Sequence, residues 1–244
     1  NLTLGGIIMK LKKIVTLVSS AILAFSLVGC SIEGEESSAG SDGAVVGNGS
    51  IGFSVSTLNN PFFVTLSQGA KDKAKEEGRD LIVVDAGDDA AKQTSDIEDL
   101  ISKNISILIV NPVDSDAVAP AVKDAIAKGI KVISLDRAVN GVDVDCSIAS
   151  DNVEGAKMAT EYLVSLVGKD AKVVELEGTS GSSATIDRGT GFHKVADEKL
   201  NVVSSQTANF NRSEGMTVME NMLQSNSDIK GVFAHNDEMA LGAV

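Results

Sequence analysis

The sequence is short of the side chains on which most catalytic and metal sites are built. Among 244 residues it has two histidines, two cysteines, one tyrosine and no tryptophan. Cys30 and Cys146 cannot supply a zinc site, and their different contexts do not indicate a structural disulfide. His193 falls within a predicted helix and His235 ends a predicted strand, and neither has the spacing of a Ser-His-Asp triad. The sequence therefore predicts a protein that is not an enzyme and holds no cofactor or metal.

Positive charge is also scarce. The chain has 21 lysines and arginines against 34 acidic residues, which gives a net charge of −13. A nucleic-acid-binding protein is expected to carry a basic patch, so this balance argues against nucleic acid as a partner. The length and the 43% hydrophobic content are sufficient for one large or two small domains with cores of their own.

The amino-terminal segment has the pattern of an export signal. Residues 1–8 precede the first methionine and are interpreted as translated upstream sequence or a misplaced start. Three lysines then precede an apolar run at residues 14–28, which is short for a membrane span. The run ends in Leu27-Val28-Gly29-Cys30, so residues 9–29 resemble a bacterial lipoprotein signal peptide. That resemblance implies lipidation of Cys30 and anchoring to the outer face of the cell membrane; an ordinary secretory signal with a chance cysteine is the alternative.

The remainder of the chain divides into a linker and two α/β units. Residues 30–49 are rich in Gly, Ser and Glu and are predicted to be a flexible linker. Strands are predicted at residues 51–55, 81–84, 105–110, 130–135, 172–176, 231–234 and from 202, and helices at residues 61–77, 91–102, 114–128, 153–167, 183–199, 213–223 and from 236. This alternation predicts doubly wound parallel sheets in two lobes, residues 50–150 and 151–244, with a cleft between them.

Polar and aromatic residues follow several of the predicted strands. Asn60-Pro61-Phe62-Phe63 opens the first helix, and Asp136-Arg137 follows the fourth strand. Ligands of open α/β sheets bind outside the carboxyl ends of the strands. Carboxylate, amide and guanidinium groups pair with hydroxyls, and rings cover apolar C–H faces, so this chemistry suits a polyol. Two alternatives stay open: the two phenylalanines as core residues of an amphipathic helix, and Asp136 with Arg137 as an ion pair on a solvated loop.

Five segments together resemble the bacterial ribose-binding proteins, which are type I periplasmic binding proteins. They are residues 55–63 (VSTLNNPFF), 111–118 (NPVDSDAV), 135–137 (LDR), 148–152 (IASDN) and 236–243 (NDEMALGA). Several of these motifs are shared by pentose and hexose binders, and the combination is more specific than any one of them. The similarity runs from about residue 50 to the end of the chain. It implies two Rossmann-like lobes on a hinge, D-ribose or a similar monosaccharide in the cleft, and delivery to the permease of an ABC importer.

The resemblance also implies roles for individual residues. The ring-stacking residues would be Phe62, Phe63 and Phe210, and the hydroxyl-binding residues would be Asn60, Asn111, Asp136, Arg137, Arg188 and Asn236. Ser150 and Asp151 would form the first hinge crossing. The family continues with a further strand and two more crossings, so we expect this chain to be a fragment with an incomplete second lobe.

Other functions remain to be weighed against ribose import. The sugar could be allose, galactose or xylose, and the protein could also present bound sugar to a chemoreceptor. A transcription repressor with the same core would need a helix-turn-helix where the signal peptide stands. An enzyme is the main rival of another class, but the Gly-rich stretch at residues 178–181 lacks both the P-loop lysine and the dinucleotide fingerprint.

Overall fold

The computed structural model describes residues 49–244, which form two parallel sheets with helices between the strands. Residues 1–48, with the predicted signal peptide, Cys30 and almost all of the predicted linker, lie outside the described residues. In chain order the elements are β1 Ile51–Val55, α1 Pro61–Glu76, β2 Leu81–Asp85, α2 Ala90–Ser102, β3 Ile107–Val110, α3 Ala119–Ala127, β4 Lys131–Leu135, β5 Cys146–Ile148, α4 Asn152–Val167, β6 Lys172–Glu177, α5 Ser183–Lys199, β7 Asn201–Thr207, α6 Arg212–Ser225, β8 Gly231–Ala234 and α7 Asp237–Ala243. The α/β class predicted from the sequence is confirmed.

The strand orders are those of doubly wound sheets. The first sheet has the order β2-β1-β3-β4-β5 and the second has β7-β6-β8, with every neighbouring pair parallel. In each sheet the chain moves outward from a central strand to one side and then returns to the other, so helices cover both faces. The predicted division near Ser150 falls between β5 of the first sheet and α4, which packs against α5.

Near-continuous apolar runs form the central strands because both of their faces are covered. Phe53 and Val55 of β1, and Leu108 and Val110 of β3, are fully buried. The second sheet repeats this pattern with Val174 and Leu176 of β6. Burial of these side chains fixes the strand register and therefore the position of the loops at the strand ends.

Two elements differ from the prediction by more than two residues. The helix predicted from residue 114 begins at Ala119, because the Asp114 carboxylate accepts hydrogen bonds from the backbone N–H groups of Asp116 and Ala117 and holds a turn there. The short strand β5 was not predicted. It is an exposed edge strand of three residues, and its polar and mixed sequence carries no strand periodicity.

Loops at the carboxyl ends of the two sheets contact one another. The Ser115 N–H donates to the Gly181 carbonyl at 3.0 Å, and the Ser183 N–H donates to the Ser115 hydroxyl at 3.1 Å. The Ala138 N–H donates to the Ser183 hydroxyl at 2.9 Å. These hydrogen bonds close one side of a cleft between the sheets. Within residues 49–244 no helix has the length and apolarity needed to cross a membrane.

Candidate functional site

The loop after β1 brings the first predicted residues to the cleft. The Asn60 side chain caps α1 by accepting a hydrogen bond from the Phe62 N–H at 2.9 Å, and Pro61 takes the first helical position. Phe63 is 4% exposed, packs on Phe53 and Val55, and also lines the cleft cavity. Phe62 is 55% exposed. Phe63 is thus both a core residue and a cleft residue, whereas Phe62 is not part of the core.

Neutral amides hold the strand ends of the first sheet in place. The fully buried Asn111 side chain accepts from the Ser56 hydroxyl at 2.7 Å and donates to the Leu135 carbonyl at 3.0 Å. Gln93 of α2 donates to the Ser54 hydroxyl and the Asn111 carbonyl, and its own carbonyl accepts from the Val113 N–H at 2.8 Å. Asn111 therefore joins the ends of three strands from beneath the cleft.

Asp136 and Arg137 directly follow β4 at the carboxyl edge of the first sheet. Asp136 has a φ of 67°, in the left-handed region that is uncommon for non-glycine residues but that aspartate adopts more readily than most. Arg137 is 3% exposed, and its Nη1 donates to the Pro112 carbonyl at 2.8 Å. Its Nε lies 4.0 Å from the Asp136 carboxylate and has no hydrogen-bond partner within residues 49–244. A buried guanidinium N–H without a protein partner can donate to a bound ligand or to an ordered water.

Rings from both lobes cover the Arg137 guanidinium. Its central carbon lies 5.1 Å from the centre of the Phe63 ring and 5.3 Å from that of Phe210. Burial lowers the pKa of Arg137 to about 10, although the charge of Asp136 opposes the shift, so the guanidinium stays charged at neutral pH. Burial raises the pKa of Asp136, and the charges of Arg137 and Arg188 oppose that rise. The pair is therefore desolvated but mutually stabilised.

The second sheet presents Phe210 in a constrained loop. Asn209 and Phe210 have φ values of 52° and 58°, and an aromatic residue in this region is a genuine outlier. The Phe210 ring lies over Gly178, where a Cβ atom would come within 2.1 Å of it. The Asn236 side chain caps α7 and donates to the Phe210 carbonyl at 3.1 Å. The fold thus fixes the ring at the edge of the cleft and supports it from two sides.

Arg188 is held by two neighbours of the second lobe. Its Nε donates to the Asn152 side chain at 2.9 Å, and its Nη1 donates to the His235 carbonyl. Asn152 opens α4, directly after the predicted hinge residues Ser150 and Asp151, which are both exposed. The structure therefore connects Arg188 to the segment that joins the two lobes.

A cavity of about 190 Å³ lies between the lobes. Four of the nine predicted site residues line it: Asn60, Phe63, Arg137 and Phe210. The other five, Phe62, Asn111, Asp136, Arg188 and Asn236, lie around or beneath these residues and are not in its lining. Sequence reasoning missed the supporting residues Gln93 and Asn152, whose neighbours in the chain are largely exposed and give no signal of burial. It also missed Glu175 of β6, where the signal was a single acidic residue within the buried apolar part of the strand. No cluster that could hold a metal ion occurs in the described part of the chain.

Comparison with known proteins places this geometry in a family. The family model of the periplasmic binding protein domain matches residues 51–244. The ribose import binding protein of Bacillus subtilis is 49% identical over 234 residues, covering 96% of this chain and 76% of that protein. Its counterpart in Escherichia coli is 44% identical over 237 residues, covering 97% of this chain and 75% of that protein.

Solved structures agree with the family model. The Caulobacter myo-inositol binding protein bound to myo-inositol superposes with a TM-score of 0.76 at 32% identity, over 80% of this chain and 68% of that one. A galactofuranose binding protein gives a TM-score of 0.76 at 30% identity, over 80% of this chain and 69% of that one. The chain therefore belongs to the periplasmic binding protein family.

Proposed function

We propose that the protein captures D-ribose in the cleft between its lobes, outside the cytoplasm, and delivers it to the permease of an ABC importer. Relatives from Bacillus subtilis and Escherichia coli that bear the name ribose import binding protein cover nearly all of this chain. They are binding proteins, and this chain is proposed to bind its sugar without changing it chemically.

The observation that carries the proposal is the environment of Arg137. Its buried Nε–H has no acceptor within residues 49–244, and the Asp136 carboxylate lies beside it. A sugar hydroxyl can accept from the guanidinium and donate to the carboxylate at the same time. The rings of Phe63 and Phe210 flank the position and would cover the apolar faces of a sugar.

The other predicted residues either contact the sugar or position a residue that does. Asn60 and Phe62 at the start of α1, and Arg188 and Asn236 of the second lobe, would complete the shell around the sugar. The Asn111 amide already binds the chain on several sides, and its hydrogen bond helps to keep the pKa of Asp136 from rising further. We assign Asn111 to positioning Asp136.

The size of the cavity favours a single sugar ring. A volume of about 190 Å³ is below the range of about 300 to 1,000 Å³ typical of drug-sized ligands. Related solved structures hold other small polyols, including D-allose and myo-inositol. We propose ribose and not one of these polyols because sequence identity favours it. The ribose import binding proteins share 44–49% identity with this chain, whereas the binders of myo-inositol and D-allose share 32% and 33%.

Calorimetric titration tests the assignment. Because the chain spans about three quarters of the length of these curated relatives, binding is measured on the natural gene product that contains it. D-ribose, D-allose, D-galactose and D-xylose are compared at equal concentrations. The expected result is one site with the highest affinity for D-ribose. Tighter binding of another sugar would replace D-ribose as the proposed substrate. Absence of a binding signal with all four sugars would refute sugar capture.

We also propose that Cys30 carries the lipid that anchors the protein to the outer face of the cell membrane. The support is the apolar run ending in Leu27-Val28-Gly29-Cys30. Wild-type protein is expected to fractionate with membranes, and Cys30→Ala is expected to be released or left unprocessed. Equal processing and retention of the variant would show that no lipid is attached there.

A further inference from the structure

A buried carboxylate lies beneath the second lobe's half of the cleft. Glu175 of β6 is 0% exposed, and its Oε2 accepts from the Ser205 hydroxyl at 2.7 Å. The titratable groups that face it are His235, which follows β8, and His193 of α5, with ring nitrogens at 2.9 and 3.2 Å from its oxygens. Burial alone would raise the pKa of Glu175, but hydrogen bonds from His235 and Ser205 outweigh it and lower the pKa. Glu175 is therefore held as a carboxylate that needs a compensating charge.

His193 supplies that charge. Its Nε2 lies 3.2 Å from Glu175, and its Nδ1 lies 2.8 Å from the Asp197 carboxylate. Both neighbours are acceptors, so both ring nitrogens must carry a proton for both hydrogen bonds to form. Partial burial works against the charged ring, but the bond to Asp197 and the charge of Glu175 prevail and raise the pKa of His193. The ring is 43% exposed and can exchange protons with solvent.

His235 connects Glu175 to the sugar-facing loops. Its Nε2 lies 2.9 Å from Glu175, and its Nδ1 accepts from the Gly178 N–H at 3.3 Å. The ring must therefore be neutral, with its proton on Nε2. Gly178 lies beneath the Phe210 ring, and the His235 carbonyl accepts from Arg188, which also faces the charges of Asp136 and Asp237. The network runs from solvent at His193 to two residues of the proposed site.

We propose that Glu175 and His235 are positioning residues for the sugar site, and that the imidazolium of His193 on the surface sets how well they hold Phe210 and Arg188. This inference rests on the proposed sugar-binding function. When His193 loses its proton, one of its two hydrogen bonds is lost and Glu175 loses its compensating charge. The Glu175–His235 pair then rearranges, and with it the loop at Gly178. Sugar affinity is consequently highest when His193 is protonated and falls as the pH rises through its raised pKa.

The test is calorimetric titration of the natural gene product with D-ribose between about pH 5 and pH 9, the range in which histidine titrates. Wild-type affinity should fall by about fivefold or more across the transition, the lower end of typical coupling between sites. Asp197→Asn should move the transition to lower pH, because it removes the negative charge beside the His193 ring and leaves only a neutral amide oxygen as the acceptor of its Nδ1–H. Glu198→Gln removes the same charge one residue further along α5, at an exposed position, and should leave the transition in place.

Two substitutions of His235 separate positioning from general stability. Gln can donate to Glu175 and accept from Gly178, so His235→Gln should retain ribose affinity, whereas His235→Leu should lose it. Thermal unfolding of each variant reports stability independently. Ribose affinity that is independent of pH, or equal in the Gln and Leu variants, would overturn this inference while leaving ribose binding intact. Absence of ribose binding by the wild type would overturn the proposed function and this inference with it.

Discussion

The two lobes hold the loops of the proposed site by different means. Beneath the first lobe, Gln93 and Asn111 join the strand ends through neutral amides that do not titrate. Beneath the second lobe, the strand ends are joined instead by the buried Glu175 carboxylate and the rings of His193 and His235. Neutral networks fix geometry at every pH, whereas charged ones couple geometry to protonation. We therefore expect the amide supports beneath the first lobe to keep their geometry as the pH changes, and the supports beneath the second lobe to respond to the protonation of His193.

The largest effect on ribose affinity should come from Asp136, the carboxylate of the first lobe that lies beside Arg137. Asp136→Asn leaves the buried Arg137 guanidinium without its charged neighbour, and losing one member of a buried charge pair costs about 2–5 kcal/mol. Ribose affinity measured by calorimetry should fall by roughly 30-fold to 5,000-fold. Asp143→Asn removes a charge at an exposed position further along the same connection and serves as the control. Wild-type affinity in Asp136→Asn would make this carboxylate a loop charge without contact to sugar.

A substitution in the neutral network tests whether the first lobe is rigid because of its amides. Gln93→Leu removes three hydrogen bonds and leaves the Ser54, Asn111 and Val113 groups unpaired in the interior. Urea unfolding should show a stability loss of at least about 3 kcal/mol, since each of the three unpaired polar groups costs about 1–3 kcal/mol. The loss should be the same at every pH at which His193 titrates. A strongly pH-dependent loss would remove the distinction between the lobes.

Loss of a hydrogen bond across the cleft should reduce ribose affinity less, because this contact acts only on closure of the two lobes. Ser183→Ala removes the acceptor of the Ala138 N–H of the opposite lobe. One neutral hydrogen bond contributes about 0.5–1.5 kcal/mol, so ribose affinity should weaken by about two- to tenfold. The hydroxyl of Ser165 bonds within α4 instead, and Ser165→Ala is the matched control. Equal affinities in the two variants would show that this contact does not help to close the cleft.

The smallest effect is expected at the exposed ring of the first lobe. Phe62 is 55% exposed, so Phe62→Ala should change the free energy of unfolding by no more than about 0.5 kcal/mol. Ribose affinity should fall by about two- to fivefold if the ring borders the sugar, since such a contact contributes up to about 1 kcal/mol. Unchanged affinity would limit the aromatic part of the site to Phe63 and Phe210.

The sequence carries the fold because its apolar runs and helix boundaries are local signals. The bounds of α5 and β8 match those predicted, and the predicted cap Asn60 has the expected hydrogen bond. The short strand β5 could not be predicted, because three residues are too few to show strand periodicity and the strand is defined by its pairing with β4. The start of α3 was misplaced because an Asp114 turn competes with the helix.

For the site, too, the sequence identified residues in local motifs but not the tertiary contacts that support them. The resemblance identified residues at the strand ends, and four of them line the cavity. The supports beneath them arise from contacts between segments far apart in the chain, such as Glu175 with His235 across 60 residues. The apolar neighbours of Glu175 in β6 indicate that it is buried, but they do not indicate which side chains pair with it. The roles of the individual site residues remain predictions that binding experiments must test.

A crystal structure of the natural protein with D-ribose tests the central claim most directly. The sugar is expected between the rings of Phe63 and Phe210, with one hydroxyl accepting from Arg137 Nε and donating to the Asp136 carboxylate. Such a structure would give an acceptor to the buried Nε–H of Arg137, which has no hydrogen-bond partner within residues 49–244. A sugar bound elsewhere, or one in this cleft that leaves Arg137 Nε without an acceptor, would contradict the account.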